Sequence, residues 1–146
     1  MEQDLTKDQI RKRIKKEWNI QNIEELEARG DIIITNSREW YYPDGKLYAE
    51  RIKGKWRKAV NAALDNGRKG LRAFAATDGF FADGFAQGLV DYEATLGTGF
   101  EIPFIAICSY KVSDIANRMT AEQLSSLHSS HGLHRSFGYN ILENPS

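Results

Sequence analysis

The residues best suited to bind or react with a small molecule stand in a short turn, Thr77-Asp78-Gly79. The turn joins the apolar run 71–76, typical of a buried strand, to a helical pattern of apolar residues from Phe81 to Leu96. Ligands in open α/β sheets lie beyond the carboxyl ends of the strands. Asp78 can therefore act as a general base, as a ligand-binding carboxylate or as a helix cap, and the cap is the commonest of these roles.

A second group of residues carries side chains that can bind a metal ion. His128, His131 and His134 are spaced by three, and Cys108, the only cysteine, can add a thiolate. Gly132 argues against a helix that would continue past these histidines, and a cysteine in an apolar strand is usually a small core residue. The sequence thus predicts neither a metal site nor another cofactor. A single cysteine also excludes an intramolecular disulfide.

Two glycines have the spacing of a phosphate-binding loop. Gly79 and Gly84 follow a predicted strand, as that loop requires. However, Phe85 and Ala86 stand where the loop needs a lysine for the phosphates and a hydroxyl for magnesium. We therefore expect ATP to bind weakly or not at all.

Length and charge narrow the class of protein. The 146 residues suit a single α/β domain, placed at 20–146, after an N-terminal helix at 1–19. A capping box is predicted at the start of that helix from Thr6 and Gln9, and another at the start of a later helix from Thr120 and Gln123. The 20 basic residues balance the 20 acidic ones, so no net charge favours nucleic acid as a partner. There is no apolar run long enough to cross a membrane and no secretory signal at the start. We expect a cytoplasmic protein with no membrane partner.

The elements that must position these residues form an α/β fold. Helical patterns stand between the predicted strands, and parallel strands require such crossovers. We therefore expect a mostly parallel sheet of about four strands with helices on both faces. Ile33, Phe74 and Ile107 should share one core. The predicted strands are residues 31–35, 71–76, 104–109 and 137–142.

A parallel sheet brings the carboxyl ends of its first three strands to one edge. The predicted ligand site at this edge combines aromatic walls with a few polar and charged groups. The aromatic run at 40–42 can equally be core filler. No catalytic residue is assigned. The predicted ligand-binding residues are Arg38, Trp40, Tyr41, Tyr42, Thr77, Asp78, Gly79, Phe80, Ser109, Tyr110, Lys111 and His131.

A series of short motifs follows the chain in a recognisable order. They are Tyr42-x-x-Gly45, Gly70-Leu71-Arg72, the acidic turn before Phe80-Phe81, Tyr92-Glu93, Ile107-Cys108-Ser109-Tyr110, a later His128 or His131, and Asn144-Pro145. In this order and spacing they resemble the MEDS domain. That name denotes a sensory domain of methanogens and methylotrophs, first recognised in a dichloromethane-responsive regulator. The resemblance covers roughly residues 20 to 145.

The resemblance implies an archaeal or bacterial sensor. Such domains resemble the recombinase-type P-loop ATPase fold without an intact nucleotide loop, and they are thought to sense small molecules. The family's acid is expected at about Ala76, whereas the nearest acid here is Asp78. The family's opening strand and helix have no counterpart before Thr6.

These departures suggest a shortened relative, or one whose missing elements come from a partner subunit. We therefore expect a homo-oligomer, whose exposed sheet edge or apolar face a second copy would cover. The output would pass through a separate signalling or DNA-binding protein.

Three classes of function remain open at this point. The leading one is a non-catalytic module that senses or binds a small molecule. An enzyme would use Asp78 as the base and Tyr110 or His131 as the acid. The third is a protein-interaction scaffold whose pocket is vestigial.

Overall fold

The computed structural model describes residues 5–96 and 102–131. The chain divides into two compact units, Met1–Lys46 and Leu47–Ser146, and each is described by itself. The boundary expected between residues 19 and 20 stays a prediction about domain organisation.

The first unit contains three helices, α1 (Lys7–Glu17), α2 (Ile23–Ala28) and α3 (Ser37–Tyr41). The predicted capping box at the start of α1 is confirmed. The backbone N–H of Gln9 donates to the Thr6 hydroxyl at 3.2 Å, and the Gln9 side chain accepts from the Thr6 N–H at 2.8 Å. No residue of α1 is buried, whereas Ile23 at the start of α2 is fully buried.

Ion pairs join α1 to α2. Arg11 donates to both carboxylate oxygens of Glu27, with its Nε 2.7 Å from Oε2. Lys15 pairs with Glu24 one turn further along α1. Because α1 buries no apolar residue, these pairs are its main described links to α2.

The strand predicted at residues 31–35 does not form. The N–H groups of Asp31 and Ile32 instead donate to the backbone oxygen of Leu26, at the end of α2. A run of β-branched residues becomes a strand only when a neighbouring strand pairs with it. Ile33 is 62% exposed, so its predicted place in the core is also wrong.

The second unit alternates helices with two strands. No helix in the described ranges is long and apolar enough to span a membrane. The predicted capping box at Thr120 and Gln123 is confirmed at the start of its last helix. The elements are α4 (Ala49–Asp65), β1 (Leu71–Ala76), α5 (Asp78–Ala82), α6 (Ala86–Leu96), β2 (Phe104–Ser109), α7 (Val112–Arg118) and α8 (Ala121–Ser130).

Helix α4 packs its apolar side against β1 and α6. Ile52, Trp56 and Val60 recur at steps of four and are buried, as the pattern predicts. The indole N–H of Trp56 donates to the hydroxyl of Tyr92 on α6 at 2.7 Å, in a buried position. The Trp56 ring also lies 4.8 Å from the ring of Phe104 on β2. These contacts fix α6 and the sheet to one helix.

The two strands form a parallel sheet, as predicted. Gly70 lets the chain enter β1 close to β2, because a Cβ at this residue would lie 2.3 Å from the backbone oxygen of Pro103. Its φ of 152° is also one that side chains disfavour. The second unit is thus mixed α/β. The described residues contain two of the about four strands that the sequence predicts. The strand predicted at 137–142 lies outside the described residues.

One face of the sheet is exposed among the described residues. Phe74 is 69% exposed, and Ile105 and Ile107 are each 59% exposed. The prediction that β1 is buried on both faces is therefore wrong, and so is the core expected around Phe74 and Ile107. Exposed and half-buried residues alternate along β1, as in a strand covered on one face only.

The helix predicted from Phe81 to Leu96 is two helices. Gly84 has a φ of 79°, a left-handed conformation that an α-helix does not accept. Helix α5 ends at Ala82 and α6 begins at Ala86. Helix α6 is therefore a separate element that follows α5 after a short break.

Candidate functional site

The carboxyl ends of β1 and β2 lie side by side, because the strands are parallel and Ala76 pairs with Ser109. Thr77 is buried at this edge, and its hydroxyl donates to the backbone oxygen of Ser109 at 2.7 Å. The backbone N–H of Thr77 donates to the same oxygen at 3.2 Å. These two bonds tie the turn after β1 to the end of β2.

An ion pair joins the two turns beyond the strands. Lys111 Nζ lies 2.9 Å from Asp78 Oδ2, and each side chain is 39% exposed. Thr77 is the N-cap residue of α5, so the capping role expected for Asp78 is wrong. Water reaches both charges, and a pair of this kind contributes little to stability. Its charges are accessible to a ligand.

The structure brings seven of the twelve predicted site residues into these two turns. Phe80 is fully buried and serves the core. The Tyr110 ring packs edge-on against Phe81 at 6.4 Å and against His131 at 6.5 Å. His131 is thereby an eighth predicted residue placed at this edge. The seven are Thr77, Asp78, Gly79, Phe80, Ser109, Tyr110 and Lys111.

A buried carboxylate lies at the centre of a second set of contacts. Glu93, on α6, is only 5% exposed. The Cys108 thiol donates to its Oε1 at 3.2 Å, and the Tyr110 hydroxyl to the same atom at 3.5 Å. His131 Nε2 lies 3.4 Å from Oε2. We call Glu93, Cys108, Tyr110 and His131 the Glu93 cluster.

The ring of His131 has one defined orientation. Its Nδ1 lies 2.8 Å from the backbone oxygen of Leu127. Because a carbonyl oxygen only accepts, Nδ1 must carry a hydrogen, and Nε2 is left to face Glu93. The hydrogen bond to Glu93 raises the pKa of His131 above its ordinary value of 6.5, against the opposing effect of burial.

Burial also changes the chemistry of Cys108. Loss of water around the thiol raises its pKa, and the negative charge of Glu93 raises it further. The thiol therefore stays protonated at neutral pH unless a cation is placed beside it. Without a cation, Cys108 is a hydrogen-bond donor and reacts only slowly as a nucleophile.

The acid and base of the enzyme hypothesis have different partners. Asp78 pairs with Lys111, while Tyr110 and His131 both lie against Glu93. Each group thus already has a charged or hydrogen-bonded neighbour. The hypothesis stays a prediction with no geometric support of its own.

The other four predicted site residues belong to the first unit. Arg38, Trp40 and Tyr41 lie on α3, and Tyr42 is its C-cap. Tyr41 and Tyr42 are buried, and Trp40 and Arg38 are half-buried. Burial favours the core alternative for the two tyrosines. Their convergence with the turns after β1 and β2 stays a prediction.

A groove of about 490 Å³ lies at the opposite end of the sheet, where β1 and β2 begin. It is lined by residues 69–72 and 102–105, and none of the predicted site residues is among them. We therefore place the candidate site at the carboxyl ends of the strands, where polar groups do converge.

Glu93 is the site residue that the sequence analysis missed. The apolar pattern from Phe81 to Leu96 predicts that Glu93 lies on the polar side of the helix. The signal was present, since Glu93 follows the buried Leu89 by four positions and Val90 by three, which places it on the buried face. A charged residue on an apolar helix face indicates a partner or a function.

The comparisons with known proteins identify the family. The family model described as MEDS, "MEthanogen/methylotroph, DcmR Sensory domain", matches residues 1–132 of the 146. The chain belongs to the MEDS family. This confirms the family that the motifs indicate, while the match begins at residue 1 and ends at 132 instead of covering roughly residues 20 to 145. It includes the first unit and most of the second. No curated protein and no solved structure matches the chain at a significant level.

Proposed function

We propose that this MEDS chain is a regulatory sensing module that binds a small polar molecule at the carboxyl ends of β1 and β2. The observation that carries the proposal is the convergence of the Asp78–Lys111 pair and the Glu93 cluster on that edge. A sensory-type family supports the regulatory role. The ligand site itself is argued from the chemistry of these residues.

The exposed ion pair suits recognition of a ligand with polar groups of its own. Asp78 and Lys111 are partly hydrated, so exchanging their mutual contact for contacts to a ligand costs little desolvation. A carboxylate and an ammonium together accept and donate hydrogen bonds. The half-buried ring of Tyr110, which packs on the buried Phe81, supplies apolar surface beside Lys111. Such a combination is typical of small-molecule sites.

Self-association is part of the same proposal. The exposed sheet face at Phe74, Ile105 and Ile107 is apolar, and exposed apolar faces commonly become interfaces. A second copy would cover it and leave the Asp78 edge free for a ligand. A monomeric mass in light scattering at high concentration would contradict this part. The output would reach a separate signalling or DNA-binding protein.

The test begins with the intact protein. Native mass spectrometry should detect a bound small molecule, or a thermal-shift screen of small carboxylic acids, amines and amino acids should find a stabilising compound. Asp78→Asn should then weaken binding of that compound about ten- to a hundredfold, through the loss of a charge-assisted hydrogen bond of about 1.5–3 kcal/mol. Because the pair is exposed, stability should change little.

Asp65→Asn is the matched control. It makes the same chemical change at an exposed residue of α4 and should leave the affinity unchanged. Equal affinity of Asp78→Asn and the natural protein would remove Asp78 from the site. No bound mass and no stabilising compound would instead favour the interaction scaffold.

A further inference from the structure

We propose that Glu93, Cys108 and His131 form a binding site for one divalent transition-metal ion of the zinc class. The sequence predicts no metal site, because Gly132 interrupts a helix that would align the histidines. In the structure the three candidate ligands do not come from one helix: α8 ends at Ser130, and His131 meets Glu93 from α6 and Cys108 from β2. The inference does not depend on small-molecule sensing.

The three ligands come from separate elements that are held together by packing. Glu93 lies on α6, Cys108 on β2, and His131 directly follows α8. Helices α6 and α8 pack against each other. Glu93 is 5% exposed, while Cys108 and His131 are half-buried, so the site is enclosed but within reach of an ion from solvent. A site whose ligands are already assembled is a site that a metal can enter without refolding.

Two separations, each to a different oxygen of Glu93, are close to the ligand–ligand distances of a tetrahedral zinc site. With Zn–N and Zn–O distances of about 2.0 Å and a Zn–S distance of about 2.3 Å, neighbouring N and O atoms are about 3.3 Å apart and S and O atoms about 3.5 Å apart. Here His131 Nε2 is 3.4 Å from Glu93 Oε2, and Cys108 Sγ is 3.2 Å from Glu93 Oε1. One ligand atom from each residue lies within 4.8 Å of the other two.

The orientation of His131 is a second and independent observation. Its Nδ1–H donates to the Leu127 oxygen at 2.8 Å, the arrangement that metal-binding histidines use to fix the ring. In the neutral ring, Nε2 then presents its lone pair to Glu93 Oε2. Two acceptor atoms 3.4 Å apart repel each other unless a proton or a metal ion lies between them. In the metal-free protein a proton on Nε2 occupies this place, and a metal ion that displaces the proton would ligate both atoms.

The kinds of ligand atom define the class of metal. A thiolate and an imidazole favour zinc, cobalt or copper, whereas calcium and magnesium require oxygen ligands. A closed structural zinc site has four protein ligands, while a site with three leaves one position for water or another molecule. Glu93, Cys108 and His131 place a carboxylate, a thiolate and an imidazole within reach of one ion. It therefore fits an open zinc-class site.

Cobalt titration of the chelator-treated, full-length protein tests the proposal. Cobalt bound to the Cys108 thiolate should give a sulfur-to-cobalt charge-transfer absorption that saturates at one equivalent. Cys108→Ser should abolish this absorption, and competition with zinc should remove it. Glu93→Gln and His131→Gln should each weaken binding at least about tenfold, since even outer-shell changes cost ten- to a hundredfold.

His128→Gln is the matched control, because His128 lies on α8 one turn before His131 and is not one of the three proposed ligands. It should bind cobalt like the natural protein. If His128→Gln loses binding and His131→Gln keeps it, the proposed ligand set is wrong. Absence of a charge-transfer absorption in the natural protein overturns the site altogether.

A second measurement needs no variant and so does not depend on variant folding. Cys108 is the only cysteine, so the rate of alkylation by iodoacetamide reports on this thiol alone. One equivalent of zinc should slow alkylation at least about tenfold, and excess chelator should restore the rate. Equal rates with and without zinc would contradict the proposal.

Discussion

Two paired glutamates, one in each unit, show what burial does to the same side chain. Glu27 in the first unit receives two hydrogen bonds from Arg11, and its side chain is 20% exposed. Glu93 in the second unit is 5% exposed and has three partners, of which only His131 can carry a positive charge. The first pair is a surface ion pair, which contributes little to the free energy of unfolding. The second carboxylate requires its partners, because a buried charge without them is strongly disfavoured.

The stabilising effects of the two pairs are lost in opposite directions of pH change. The hydrogen bond from Arg11 lowers the pKa of Glu27, so its stabilising effect is lost as pH falls through that lowered value. The hydrogen bond to Glu93 raises the pKa of His131, so its stabilising effect is lost as pH rises through that raised value. Surface pairing in one unit and buried pairing in the other can therefore be separated by titration.

The largest expected effect is in the core beside the site. Phe80 is 1% exposed, and Phe80→Ala removes a buried ring and leaves a cavity behind α5. We expect a loss of about 3–5 kcal/mol in the free energy of unfolding. Urea denaturation followed by circular dichroism measures it.

Phe74→Ala is the control, because it removes the same ring from the exposed sheet face. Phe74 is 69% exposed in the single chain, so at protein concentrations low enough to keep the chain monomeric the free energy of unfolding should change by less than about 0.5 kcal/mol. If Phe74→Ala costs as much as Phe80→Ala at high concentration, a second copy covers that face, as the proposed self-association expects. The contrast between the covered and exposed faces would then be wrong for the assembled protein.

The next effect concerns the buried hydrogen bond between α4 and α6. Tyr92→Phe removes the hydroxyl that accepts from the Trp56 indole N–H at 2.7 Å while keeping the ring. We expect a loss of about 1–2 kcal/mol, measured by the same denaturation experiment. Burial raises the pKa of Tyr92, which is consistent with a hydroxyl that stays protonated and shielded from water. An unchanged stability would mean that water satisfies the indole in the variant.

Local patterns predicted the fold where local chemistry decides it. Thr6 and Thr120 were recognised as helix starts because a capping box involves only residues three positions apart. The sheet was predicted in part, because whether residues 31–35 pair depends on a neighbouring strand that the run itself does not encode. The exposure of Phe74 was missed for the same reason, since a strand does not specify what covers it.

The site was predicted where it follows the strands and missed where it depends on packing. Asp78 and Lys111 each follow a strand, so parallel pairing alone brings them together. Gly84 breaks the predicted helix before α6, α8 packs on α6 and ends beside His131, and Cys108 meets Glu93 from β2. Neither the angle of that break nor the helix packing can be read from periodicity. A buried acid on the apolar side of α6 was the one available sign.

A smaller effect should come from the Glu93–His131 pair in chelator-treated protein. The pKa of His131, followed by proton NMR, should lie above 6.5, and Glu93→Gln should lower it. Protonated His131 stabilises the fold fully below the pKa of the unfolded chain, and this effect disappears as pH rises through the folded value. His131→Gln identifies the resonance. If the pKa of His131 does not change in Glu93→Gln, the two side chains are not paired in solution, and the contrast between Glu93 and Glu27 fails.

The smallest effect is expected for Glu27→Gln in the first unit. Arg11 keeps its bond to Asp8, and the pair that is lost lies at the surface, so the melting temperature should fall less than in Tyr92→Phe. The difference from the natural protein should be present at pH 7 and should shrink as pH falls through the lowered pKa of Glu27, because protonation of Glu27 removes the same charge. Added salt should also reduce it, since exposed charges are screened. Glu17→Gln, the same change at an exposed residue of α1, should leave the melting temperature at pH 7 unchanged. If Glu27→Gln destabilises the protein more than Tyr92→Phe does, then the ion pairs of the first unit contribute as much as a buried bond, and the contrast between the two units fails.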